Sequence, residues 1–178
     1  HGSQNMHIRG GTENIPGLAA SFSACKLALA NRRQKNNDMM ELRDRFIAAV
    51  RKTKIPLIPY TRYIEAPPNG VCIVTFTGTR GYLPHTMLIS LVKPFEPYAC
   101  NAEMKSALEA KKIIVSVGSA CNTASSKASH VLDALGADKF IRKGTLRISF
   151  CDYTTTADVD KLIDAYIEVI RHQLRKGQ

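Results

Sequence analysis

Ile113-Ile114-Val115-Ser116-Val117-Gly118-Ser119-Ala120-Cys121-Asn122-Thr123-Ala124-Ser125-Ser126 changes character half-way along. Ile113 to Val117 reads as a strand, apolar enough to be buried on both faces. Gly118 to Ser126 is small and polar, too flexible by composition for a core, and reads as a loop. Cys121 stands in it among Ser, Ala, Asn and Thr, with little apolar surface nearby to bury it. A loop cysteine on a rigid scaffold can swing between two positions. That suits a nucleophile that attacks in one place and presents its product in another. On composition alone an ordinary unreactive loop cysteine is the alternative.

Outward from this stretch the chain alternates. Upstream, Asn101 is placed to cap a helix over Ala102 to Lys111, with Met104, Ala107 and Leu108 inward. Before that, Val71 to Phe76 is rich in β-branched residues and His85 to Val92 forms a second run, so the two are expected to pair as a hairpin. Ile55 to Tyr60 is extended but carries Pro56 and Pro59, which restrict it to an edge or a loop. Downstream, Lys127 to Leu135 reads as a short helix stopped at Gly136. Thr145 to Phe150 reads as a strand. Thr156 to Leu174 carries Val159, Leu162, Ile163, Tyr166, Ile167 and Ile170 on one helical stripe. This order predicts an α+β fold: a mixed or antiparallel sheet with helices on one face. Leu18, Phe22, Cys25 and Leu29, then Met39, Leu42 and Phe46, recur at helical spacing from Pro16 to about Lys52. The polar stretch Asn31 to Asn37 is either an exposed turn of one long helix or a break between two.

Two further places can carry chemistry. Alternation in Gly144-Thr145-Leu146-Arg147-Ile148-Ser149-Phe150 sets Arg147 on the face opposite Leu146, Ile148 and Phe150. An arginine in a short apolar strand is a candidate for gripping a carboxylate, and a structural ion pair or a solvent-facing side chain is the competing reading. Arg9-Gly10-Gly11-Thr12-Glu13-Asn14 precedes a helix and can offer N–H groups and the Thr12 hydroxyl to a phosphate, or can be a plain cap at Thr12 or Asn14. No role falls to His7, His85, His130 or His172.

Composition bounds the rest. The chain has 178 residues, 44% of them hydrophobic, and a formal net charge of +10. The basic residues are scattered along helical stretches without interleaved aromatics, so a solvated surface is expected rather than a nucleic-acid partner. The five cysteines are odd in number and lack metal-ligand spacing, so no metal site is expected. No signal peptide and no membrane-length apolar run is visible. A cytoplasmic or other reducing compartment is the expectation, not secretion.

Together the pieces resemble the C-terminal portion of a NifS/IscS-type cysteine desulfurase, in the pyridoxal-phosphate-dependent aminotransferase class V family. Arg9-Gly10-Gly11-Thr12-Glu13-Asn14-Ile15-Pro16-Gly17 resembles its R-x-G-T-E-N-x-P-G. Val115 to Ser125 resembles its V-S-x-G-S-A-C-x-x-x-S loop, followed by Ser129-His130-Val131-Leu132-Asp133-Ala134-Leu135-Gly136. Arg147-Ile148-Ser149-Phe150 resembles R-x-S-L, and Thr154-Thr155-Thr156 opens the last helix.

The resemblance implies roles. Cys121 would become a persulfide, Arg147 would hold the carboxylate of L-cysteine, and Thr12 would donate to the pyridoxal phosphate of the other subunit of a homodimer. A sulfur-acceptor or Fe-S scaffold protein would be the partner. It also implies an organisation: residues 1–17 a remnant of the cofactor-domain active-site loop, 18–52 a long bridging helix or helix pair, and 53–178 the small α+β domain carrying the cysteine loop. The cofactor lysine lies upstream in that family, and Lys26 and Lys127 do not sit in its context, so the chain alone is expected to be inactive. Thr79 to Tyr98 is longer than the family's usual connection. A non-catalytic sulfur-relay or interaction module and a class V transaminase-type enzyme are the alternatives.

Overall fold

The structure, a computed structural model, describes residues 6, 8, 10–76, 83–117 and 129–176. The chain divides into two compact units, His1–Lys35 and Asn36–Gln178.

Helix α1 (Ile15–Ala30) starts because the Asn14 carbonyl oxygen Oδ1 accepts from the Gly17 N–H at 3.0 Å and Pro16 occupies the first turn, where no N–H is needed. None of its residues is buried. Of the two readings of the polar stretch, the break holds: α1 ends at Ala30, and α2 (Arg32–Arg51) begins after Asn31.

The second unit is built on a mixed four-stranded sheet in the order β1 (Leu57–Pro59), β2 (Cys72–Thr75), β3 (Thr86–Val92), β4 (Thr145–Ser149). The expected hairpin is present as antiparallel β2 and β3, with Val74 opposite Ser90. The proline-bearing β1 is an edge strand, parallel to β2. Strand β4 runs antiparallel to β3 and sets Leu88 opposite Arg147 and Ile89 opposite Leu146.

One face of this sheet, carrying Ile73, Ile89, Leu91, Leu146 and Ile148, packs on Phe46 and Val50 of α2, Met104 and Leu108 of α4 (Asn101–Ala110), and Tyr166 and Ile170 of α7 (Thr156–Arg175). Each such fully buried side chain contributes about 1.5–3 kcal/mol. Helices α2, α4 and α7 thus share this face. The other face carries Cys72, Val74 and Val92 and is covered by short helices: α3 (Tyr60–Glu65), α5 (His130–Ala134) and α6 (Lys139–Gly144). Helix α6 approaches so closely that a Cβ on Gly144 would lie 1.9 Å from the Leu91 carbonyl oxygen. Helix α7 opens with a reciprocal cap between Thr155 and Asp158. At its far end the buried Lys93 ammonium donates to the Gln173 carbonyl at 3.2 Å and to the Lys176 carbonyl.

Two expectations need correction. Ile113 to Val117 is not a strand buried on both faces: it touches the sheet through a single bridge, Ser116 to Arg147, and Ile114 is 89% exposed. The segment lies beyond the edge strand β4, so it has a neighbour on one side only. Asn101 does not cap α4, since Cys100 holds that position. The Asn101 side-chain amide instead donates to the carbonyls of Arg142 at 3.2 Å and Thr145 at 3.3 Å, tying α4 to the turn between α6 and β4.

Candidate active site

Strand β4 positions Arg147 as alternation requires. Leu146, Ile148 and Phe150 are buried, Ser149 is exposed, and Arg147 is half-buried on the opposite face. Its backbone N–H and C=O both turn away from β3, toward Ser116. Leu88 lies opposite it on β3, and Ser116 exchanges two hydrogen bonds with it, from Arg147 N–H at 2.7 Å and from Ser116 N–H at 3.1 Å. The Phe76 N–H donates to the Leu88 carbonyl at 3.2 Å. Phe76, Leu88, Arg147 and Ser116 therefore form one row across the sheet. Opposed residues of a ladder share a face. Phe76 stacks on Tyr60 with ring centroids 4.5 Å apart, giving this row an aromatic wall at its far end.

Among the described residues, no carboxylate forms an ion pair with Arg147. Asp133, one of the acids that a structural pairing would call on, bonds Arg142 instead at 2.5 Å. Among the described residues no acceptor takes the donors of this half-buried guanidinium.

Cys121 lies outside the described residues. What the structure fixes is the root of its segment, Ser116. Thr12 belongs to the first unit. It is exposed, and among the described residues its hydroxyl has no hydrogen-bond partner, because Asn14 rather than Thr12 caps α1. Gly11, at a φ of 102°, makes the turn that leads Thr12 toward that helix. Among the described residues the Thr12 hydroxyl is therefore a donor left open to an anion such as a phosphate oxygen.

The other thiols separate by environment. Cys72 is buried on β2, and burial, with the Asp138 charge nearby, pushes its thiol up to about 11. Cys151 is exposed in the turn after β4, and its thiol is held below the usual range by the Thr154 hydroxyl and by backbone N–H groups. Sequence reasoning passed over Cys151; the Thr154 hydroxyl three residues on was the available signal. It also passed over Ser116 as the clamp on Arg147. Among the described residues no group of three or more His, Cys, Asp or Glu side chains is placed to hold a metal ion, and no helix is long and apolar enough to cross a membrane.

The family model for aminotransferase class V matches residues 2–162. The chain belongs to the aminotransferase class V family. Over 96% of its length it is 32% identical to the cysteine desulfurase IscS of Methanosarcina thermophila, and over 95% it is 30% identical to a cysteine desulfurase of Trichormus azollae. It spans 37% of the length of each of these relatives. Among solved structures it superposes on a NifS-like protein with a TM-score of 0.66 at 24% identity, covering 97% of this chain and 38% of that one. A NifS-like protein of Rickettsia africae gives 0.68 at 22%, covering 96% of this chain and 39% of that one. At these identities the structural matches speak for the fold alone, an α+β one.

Proposed function

We propose that this class V chain is part of a cysteine desulfurase, in which Arg147 binds the carboxylate of L-cysteine and Cys121 takes its sulfur. The observation that carries this reading is the Ser116–Arg147 bridge. It joins the uncommitted guanidinium to the segment from which the Cys121 run departs. Cys121 stands five positions beyond Ser116 in the sequence, a tether of at most about 18 Å. A thiol on that tether can visit a substrate gripped by Arg147 and then deliver its cargo elsewhere.

The reaction balances without an added oxidant or reductant. The Cys121 thiolate forms an S–S bond to the substrate sulfur, the substrate C–S bond breaks, and the carbon receives a proton. L-Cysteine and the thiol become L-alanine and a persulfide on Cys121. Pyridoxal phosphate supplies the electron sink that loosens the substrate's bonds. From this chain Thr12 would donate to its phosphate, across the interface of a homodimer. The persulfide would pass to a sulfur-acceptor or Fe-S scaffold protein. By itself the chain neither holds the cofactor tightly nor turns over cysteine.

Cys121→Ser in the full-length protein tests the reading. Cysteine-dependent alanine formation should vanish while the cofactor's visible absorbance stays. Turnover retained in that variant would remove Cys121 as the nucleophile, and lost absorbance would point to a structural role.

A further inference from the structure

The ladder between Ile113–Val117 and β4 opens after one bridge. Ser116 pairs with Arg147, but the next pair in register, Ile114 and Ser149, forms no bond. Their backbone N–H and C=O groups are without partners among the described residues. Where the two segments part, a groove of about 610 Å³ runs to the start of α7. Val115, Ile148, Phe150, Val159 and Leu162 make it mostly apolar, and Ile114 stands at its lip. Unbonded extended backbone beside an apolar trough is the shape that receives a strand-like peptide.

The rim selects the sign of that peptide. Lys112 and Lys161 line the groove; among the described residues neither ammonium lies within ion-pair distance of a carboxylate, and the Lys161 charge reaches Asp158 only at longer range. The acid of the lining, Asp158, is turned back onto Thr155, whose N–H and hydroxyl both donate to it, at 2.9 Å and 2.6 Å. Lys112 is also held at a φ of 62°, in the left-handed position after α4 where the Lys112 N–H bonds the Glu109 carbonyl and the Ile113 N–H bonds the Leu108 carbonyl. Glycine is the residue that fits such a helix ending without strain. A lysine kept there against the backbone preference gives this lip of the groove its charge.

We propose that this groove docks an extended, acidic segment of a partner protein. The segment's backbone bonds Ile114 and Ser149, its apolar side chains drop against Val159 and Leu162, and its acids meet Lys112 and Lys161. Neither substrate nor cofactor is needed for this binding.

The test titrates a fluorescein-labelled heptapeptide of alternating Glu and Val into the purified 178-residue chain. The same peptide with Gln for Glu, and with Lys for Glu, serves for comparison. The acidic peptide should bind about five- to tenfold more tightly than the Gln peptide, the worth of two exposed ion pairs. Lys112→Glu with Lys161→Glu should reverse the preference toward the Lys peptide. Lys54→Glu, on a different loop, should leave the preference intact, which separates the groove from general attraction to a basic chain. Lys112→Gly should raise the melting temperature and weaken acidic-peptide binding together. Equal binding of the Glu and Gln peptides, a response to Lys54→Glu as large as to the double variant, or no uptake because light scattering shows a dimer that fills the groove would each overturn the proposal.

Discussion

The two ends of β4 treat polar side chains in opposite ways. At the start of the strand, Thr145 and its neighbour Ser90 are sealed, 1% and 0% exposed, and both hydroxyls donate to the Ile141 carbonyl at 2.7 Å. Both hydroxyls are taken up by α6, which packs Gly144 against Leu91. Two residues further on, Arg147 is half-buried, has no acid partner among the described residues, and is steadied through its backbone by Ser116. One strand thus carries an end whose hydroxyls are committed and an end whose guanidinium has no acid partner among the described residues.

The largest effect on stability should come from the closed end. Gly144→Ala puts a methyl group inside the contact distance of a backbone carbonyl that cannot swing away, at a cost of about 3 kcal/mol. The melting temperature should fall by roughly 6–12 °C. An unchanged transition would mean that α6 is not seated on β3 as described. Ser90→Ala is milder. It removes one buried hydrogen bond while the Thr145 hydroxyl continues to serve the same carbonyl, so a loss of about 1 kcal/mol is expected in chemical denaturation. A loss as large as that of Gly144→Ala would show that the closed end depends on its hydrogen bonds more than on its packing.

The thiols sharpen the same contrast without touching stability. Cys151 holds the larger thiolate fraction, since its pKa is lowered and that of Cys72 is raised to about 11. Exposure acts in the same direction. Iodoacetamide followed by peptide mapping should mark Cys151 on the native protein and Cys72 only after denaturation. Equal labelling of the two would contradict the packing of β2.

Much of this architecture was legible because it rests on short-range rules. The alternation at Leu146, Arg147 and Ile148 placed the guanidinium correctly, and the Val159 to Ile170 stripe gave α7. Helices α3 and α6 were not read. Each is six residues long, too short for a periodic pattern, and the clue to α6 was a cap, Asp138 accepting from the Ile141 N–H at 2.8 Å. Ile113 to Val117 misled because a run of β-branched residues looks the same whether a strand has neighbours on both sides or ends at an edge. Of the candidate site, the face that Arg147 takes was visible in the sequence. Its clamp by Ser116 was not, since a cross-strand bond between residues 31 apart leaves no local mark.

The central claim is that the open end of β4 binds a carboxylate, and Arg147→Lys in the full-length protein tests it most directly. Lysine keeps the charge and the aliphatic stem but cannot grip both carboxylate oxygens. A charge-assisted hydrogen bond contributes roughly 1.5–3 kcal/mol, so KM for L-cysteine should rise about 10- to 150-fold. The melting temperature, measured on the same preparation, should stay within about 2 °C of the parent. A variant that keeps its KM and melts several degrees lower would make Arg147 a structural residue and contradict the account.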